Sequence, residues 1–422
     1  MVTDRAANAV RVVHAADVHL DSPLRGLRRL GDDAVAATLR AATRGALEAL
    51  VALCEAQRAD ALLLAGDLYD GTWHDYATGR FFTRQVQRLA DSGIRVFIVS
   101  GNHDAESQIT HSLTLPGNAH RFGVDSPGTV VDEHLGLAVH GQGYRTRAVS
   151  SNLAAGYPRR VPDLVNVGLL HATVDGSRSG GEHERYAPCS IADLTALGYE
   201  YVALGHVHAR EVLATGPTTV AYSGNLQGRH PRETGAKGAY VVDLVPGEQA
   251  RLTFHALDVA RWESLEVDVT GAADVAEVMG SLRERMLHTR REAGDRPLVV
   301  RAVLTGPTAA AADLADAERL RQEAEQAAEA AGVVLERVRS QTRAPRAGGG
   351  DDPELVAAVR AAADALARDP VQAQALRGVR GVRGEVGRLL SDAGLLDLGD
   401  PRVVGELARQ AADDLSTRLG GR

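Results

Sequence analysis

Lysine is all but missing from this 422-residue chain: of 47 basic residues only Lys237 is lysine, and the rest are arginine. Arginine is the better bidentate partner for phosphate. With this much alanine and valine, however, the bias reads first as a GC-rich genome, so only individual arginines carry weight. Cysteine is scarce too. Cys54 and Cys189 stand far apart with no Cys-x-x-Cys spacing, which argues against a disulfide framework or a thiolate zinc site and points to a reducing cytoplasm. Aromatic residues make up 4% of the chain, too few to suggest a stacking platform for single strands. No apolar run reaches the roughly 18 residues of a membrane helix. The opening MVTDRAANAV lacks a basic start leading into an apolar core, so no signal peptide is expected either. Excess positive charge is also absent. A formal net charge of −8 argues against holding nucleic acid through a general basic field.

What is present is an ordinary soluble balance over a length that suggests two or three domains. Short apolar runs at 10–16, 59–65, 95–100, 164–170 and 201–204 read as buried strands, with further strands near 218–223 and 238–244. Helical spacing of apolar residues appears at 34–58 and 77–92. This strand–helix alternation predicts an α/β layered domain over residues 1–258. Residues 259–343 read as a smaller β-α-β-α-β unit, with helices near 272–292 and 313–331. Residues 344–352 are Gly- and Pro-rich and form a linker. Residues 353–422 read as a helical region, interrupted by LRGVRGVRGEVGR, a glycine-broken loop whose alternative role is a phosphate or partner contact.

The chemistry sits where strands end. RVFIVSGNHDAES runs from a buried strand directly into Asn102, His103 and Asp104. Four other strands stop the same way: AADVHLDS gives Asp17 and His19, LLLAGDLYD gives Asp67, GLLHAT gives His171, and ALGHVH gives His206 and His208. Each piece alone reads as a turn, a helix cap or a core histidine; their joint occurrence does not. Ligands of open α/β sheets bind outside the carboxyl ends of the strands. If the segments are extended, Asp17/His19 and His206/His208 each aim two groups at one place. Gly66, Gly101 and Gly205 precede Asp67, Asn102 and His206 and are expected to free the backbone to turn. Carboxylate, amide and imidazole donors without thiolate suit Mn²⁺, Fe²⁺ or Zn²⁺. Seven candidates suit two divalent ions sharing one carboxylate, for which Asp67 is the natural choice. Their surplus positive charge matches a phosphodiester.

The ordered set D-x-H, G-D-x-x-[DH], G-N-H-[DE], a lone H and G-H-x-H resembles the signature of calcineurin-like metallophosphoesterases. Within them it is closer to the SbcD-related DNA repair exonucleases, and HAADVHLDSPLRGL, DGSRSGGEHERYAPCS and YSGNLQGRHPRETGAKG look most like the YhaO-type branch. The resemblance implies a sandwich of two central β-sheets flanked by helices, a small α+β capping domain at 259–343, and a helical tail. It implies that Asp17, His19, Asp67 and His208 hold one ion and that Asp67, Asn102, His171 and His206 hold the other, Mn²⁺ being the first choice. His103 resembles the family's catalytic histidine, which contacts the scissile phosphate and helps the leaving oxygen depart. Asp104 either orients His103 or shapes the loop.

Arg178, Arg229, His230 and Arg232, on two polar loops, are candidate phosphate or DNA contacts. The resulting expectation is a two-metal phosphodiesterase acting on DNA, an exonuclease subunit in repair or processing. A coiled-coil, SMC-like ATPase is its expected partner through the tail, and homodimerisation is left open. A cyclic-nucleotide-type phosphodiesterase, or a scaffold that recruits the ATPase with weak catalysis, is the alternative.

Overall fold

The computed structural model describes residues 9–22, 33–70, 76–106, 113–177, 185–345, 353–368 and 401–419. Arg178, residues 346–352 of the expected linker and the LRGVRGVRGEVGR stretch lie outside them.

The elements run β1 (Val10–Ala15), α1 (Asp33–Ala56), β2 (Ala61–Ala65), α2 (Tyr76–Asp91), β3 (Arg95–Val99), β4 (Ala119–Arg121), β5 (Gly128–Asp132), β6 (Leu137–Gly141), β7 (Val165–His171), β8 (Tyr201–Gly205), β9 (Glu211–Ala214), β10 (Thr219–Tyr222), β11 (Gly238–Leu244) and β12 (Arg251–Ala256). They build two six-stranded sheets, in the orders β12-β11-β1-β2-β3-β4 and β5-β6-β7-β8-β10-β9. β1, β2 and β3 are parallel neighbours, as are β6, β7 and β8.

Both faces of the first sheet are covered, which is why its strands read as continuous apolar runs rather than alternating ones. Val13, Ala15, Leu62, Leu64, Val96 and Ile98 pack outward with Leu47, Leu50, Phe82 and Val86 of α1 and α2. Residues one step along point the other way. Val12, Leu63, Ala65, Phe97 and Val99 meet Val139, Val167, Leu169, Tyr201 and Ala203 of the second sheet. A polar pin crosses the same apolar layer. His14 on β1 is fully buried, its Nε2 donating to the Leu204 carbonyl (3.1 Å) and its Nδ1 accepting from the Tyr201 hydroxyl (2.7 Å). Burial pushes its imidazole down to about 3.

The strands β13 (Arg261–Asp268), β14 (Leu298–Pro307) and β15 (Val334–Arg343) form a third sheet in sequential order. Helices Val275–Ala293 and Ala317–Ala330 connect them, the expected β-α-β-α-β sequence. The chain divides into two compact units, Met1–Leu265 with Met286–Arg301 and Ala328–Arg337, and Glu266–Arg285 with Ala302–Ala327 and Val338–Arg422. In the second, helices Pro353–Arg368 and Pro401–Leu419 pair with each other, Arg409 reaching Asp364 (3.1 Å) and Arg360 reaching Asp413 (3.7 Å). Among the described residues no helix is long and apolar enough to cross a membrane. Both cysteines are buried and free.

Candidate metal centre

The loops after β1, β2 and β3 and the ends of β7 and β8 converge. Asp17, His19, Asp67, His171 and His206 are buried, as is Asn102. Convergence is not achieved by extended backbone, as the two-residue spacing predicts. Asp17, His19, Asp67 and His206 all have positive φ (50°, 44°, 53° and 97°), a region that residues with a Cβ enter at a cost. The loop after β1 is held in that shape by the loop after β2. Asp17 N donates to Gly66 O, His19 N to Asp67 O and Leu20 N to Leu68 O, at 2.8–3.0 Å.

The glycines also differ from expectation. Gly66 has φ +93° and does supply the turn. At Gly101 and Gly205 it is space that matters. A Cβ on Gly101 would lie 2.8 Å from Asp67 N, and one on Gly205 would overlap the Ala65 carbonyl oxygen.

Among the described residues three groups could each hold a cation; two meet at Asp17, namely Asp17, His19 and His208, and Asp17, Asp67 and His171, and the third is His19, Asp70 and His103, with ligand atoms all within 4.8 Å in each group. Asp67 Oδ2 stands 3.8 Å from His19 Nε2 and 3.5 Å from His171 Nε2, between the two. Asn102 Oδ1 is 3.0 Å from His171 Nε2. His206 comes in less directly: its ring stands edge-on to His171 at 5.2 Å, and its backbone N–H donates to both Asp17 oxygens (3.1 Å).

The donor chemistry fits cations. His171 Nδ1 faces the Ala65 carbonyl (2.8 Å), which can only accept, so the proton lies on Nδ1 and a neutral ring turns the Nε2 lone pair toward Asn102 Oδ1 and Asp67 Oδ2. Two carboxylates and several lone pairs thus crowd one buried volume. Burial pushes both carboxyls up, with Asp67 adding to the rise at Asp17, while burial pushes His19 down. Ionised acids and neutral imidazoles can coexist here only around positive charge.

His103 stands beside the clusters, half-buried. Its Nδ1 lies 2.8 Å from Asp70 Oδ1, a direct hydrogen bond rather than two ligands spread around an ion. Burial alone would lower this imidazole, but the Asp70 bond and the charges of Asp67 and Asp70 outweigh it and raise it above the ordinary histidine value. The same bond, against burial, holds Asp70 far below the usual carboxylate range, helped by Ser22 and Arg229. Asp104 does not orient His103. Its oxygens accept from the backbone of Leu68, Tyr69 and Gly101 (3.0–3.1 Å), which makes it the loop brace, and burial pushes it up to about 7.

Asp70 and Glu233 escaped the sequence reading of roles. Asp70 closes the G-D-x-x-[DH] motif, which was the signal for it. Glu233 lies 25 positions beyond His208, whose Nδ1 it holds at 2.6 Å; no spacing rule marks it. Burial would raise its carboxyl, but His208, Arg229 and His230 hold it well below the usual range.

An open cavity of about 550 Å³ lies over the clusters, with His103 on its wall and Arg147, Arg229, His230, Arg232 and Lys237 around it. Three of the four predicted phosphate contacts therefore share the cavity. Arg229 Nη1 reaches Ser22 Oγ (3.0 Å) and Asp70 Oδ2 (3.5 Å). His230 is partly spent on its own loop, accepting from Arg232 N (3.2 Å).

Residues 10–210 match the calcineurin-like phosphoesterase family, and residues 262–343 match the middle domain of the metallophosphoesterase YhaO. The chain is similar to an uncharacterized metallophosphoesterase YhaO of Bacillus subtilis, 34% identical over 297 residues that span 70% of this chain and 71% of the relative. It is also similar to a subunit of the nuclease SbcCD of Bacillus subtilis, 25% identical over 281 residues, covering 57% of this chain and 68% of that one. A DNA double-strand break repair protein Mre11 of Aeropyrum pernix is 29% identical over 251 residues, 56% of this chain and 58% of its own. The chain belongs to the calcineurin-like metallophosphoesterases, in the branch that carries the YhaO middle domain.

Proposed function

We propose that the protein is a two-metal phosphodiesterase acting on DNA, an exonuclease subunit in repair or processing. The observation that carries this is one arrangement: paired carboxylate–imidazole clusters under an arginine-rimmed open cavity, with a carboxylate-held histidine at their side. Asp17, His19, Asp67 and His208 would hold one divalent ion, and Asp67, Asn102, His171 and His206 the other. Bound there, the ions would supply an acidified water and neutralise charge on the phosphate.

The chain's own groups do the rest. Asp70 occupies Nδ1 of His103 and favours its protonated form, so Nε2 is the ring nitrogen left to give a proton to the departing oxygen. Arg229, fixed by Ser22 and Asp70, would carry a phosphate oxygen, with His230 and Arg232 further out. Domain limits of 1–258, 259–343, 344–352 and 353–422 complete the proposal. The tail would dock a coiled-coil ATPase, since one relative is named as part of a nuclease with more than one kind of chain.

The test is hydrolysis by Mn²⁺-loaded protein of linear duplex DNA beside a chromogenic diester and a cyclic nucleotide. DNA degradation that chelator abolishes is expected. Mg²⁺ should replace Mn²⁺ poorly, because a histidine-rich set suits that hard ion badly. Turnover of the cyclic nucleotide without DNA would overturn the substrate assignment, and full activity in Mg²⁺ alone would count against the ligand set.

A further inference from the structure

We infer that Glu233 is a positioning residue that strengthens one of the two ion positions, the one His208 serves, and so makes the pair unequal. This rests on the ligand assignment proposed above.

Two of the four imidazoles assigned to the ions, His208 and His171, are held in the same tautomer by different partners. His208 Nδ1 lies 2.6 Å from Glu233 Oε1, and a carboxylate only accepts, so the proton sits on Nδ1. The Nε2 lone pair is then directed to where Asp17 (3.9 Å) and His19 (3.3 Å) converge. His171 is held by a neutral carbonyl, that of Ala65. An imidazole bonded to a carboxylate is the more basic donor to a cation, and the carboxylate adds its own charge. One side of the centre has this support; the other has a backbone dipole.

Glu233 is also fixed independently of His208. Its Oε2 accepts from Arg229 N (2.6 Å) and from Asn225 Nδ2 (3.1 Å). The surrounding loop is tied down in turn. Gln227 bonds the backbone of Val259 and Ala260, and Trp262 Nε1 donates to Gly228 O (3.0 Å). His230 Nε2 approaches Oε1 as well, at 3.4 Å. A carboxylate clamped on one oxygen presents the other to His208 without having to be ordered by the ion.

Glu233→Gln separates this role from mere bracing of the loop. The amide keeps size and one acceptor, which can stay with Arg229 N and Asn225. Its NH₂ would then face His208 Nδ1, forcing the proton to Nε2, where it blocks the lone pair. Mn²⁺ titrated into metal-free protein, with free ion counted by electron paramagnetic resonance, reads the two positions apart. We expect one ion bound as in wild type and the other weakened about 10–100-fold, with unchanged thermal unfolding in chelator. Glu233→Asp should recover part of the loss. His208→Ala is the benchmark, and Glu233→Gln combined with it should lose nothing further at that position.

Two intact positions in Glu233→Gln would overturn the inference, as would equal loss at both. If His208→Ala itself retains both ions at wild-type affinity, the ligand assignment fails and takes this inference with it.

Discussion

At the scale of single residues, the separation of metal holding from proton delivery is the sharpest consequence. Asp67→Ala removes the carboxylate lying between both clusters and should lose metal and activity together. Asp70→Asn removes the carboxylate partner of His103, which Ser22 and Arg229 also contact, and leaves the proposed ligands in place. Metal content should stay near wild type while hydrolysis falls about 100-fold, within the range of a positioned proton donor. The sign of its pH dependence follows from the bond it breaks. Asp70 raises the His103 imidazole, so without it the protonated fraction declines at lower pH, and the optimum should move in the acid direction. Metal analysis and a pH–rate profile of both variants check this; metal loss in Asp70→Asn equal to that in Asp67→Ala would make Asp70 a ligand instead. The eight residues at the strand ends were legible because each ends an apolar run with a polar group. Their partners were not. Asp70 and Glu233 lie in loops whose direction is set by left-handed residues and by long-range bonds, neither of which leaves a periodic trace.

At the scale of elements, the longer helices and most buried strands followed from apolar spacing, whereas β4, β5, β9 and β12 were missed, and so was β6 although it is buried throughout. β4 is three residues long, and β5, β9 and β12 are half-exposed, so none makes a continuous apolar run. What spacing cannot reveal is how near two elements come. Gly205 on β8 touches the end of β2 so closely that a methyl group there would meet the Ala65 carbonyl, which also receives His171. Gly205→Ala should cost about 3 kcal/mol, seen as a lower denaturant midpoint, and should disturb metal binding through His171. A conservative result at this position would mean the sheets are looser than described. His14 gives the opposite kind of control. Its folded value of about 3 lies below the unfolded one near 6.5. The stability it permits is present above that unfolded value and drains away as pH falls toward 3, by at most roughly 1.4 kcal/mol per pH unit. His14→Gln should therefore show a flatter loss of urea stability between about pH 6 and pH 4.5 than wild type under the same metal conditions. An unchanged slope would place the acid sensitivity elsewhere.

At the scale of the whole molecule, the C-terminal tail is separable in principle from the chemistry, because every candidate site residue precedes position 238. Its arginines and acids balance, and its two described helices pair with each other. A chain ending at residue 350 should keep its metal and its diester hydrolysis and lose association with a coiled-coil ATPase; co-purification of both lengths with that partner decides it, and retained binding by the shorter chain would refute the tail's role. The division of donors between the two sheets has a different consequence. Asp17, His19, Asp67 and Asn102 come from one sheet, His171, His206 and His208 from the other, and each proposed ion draws on both. A nascent chain with only one sheet assembled offers neither ion a full set. Metal acquisition would then work as an inspection step: the catalytic cargo is granted only to chains whose two halves have already met, and an unfinished molecule stays chemically inert.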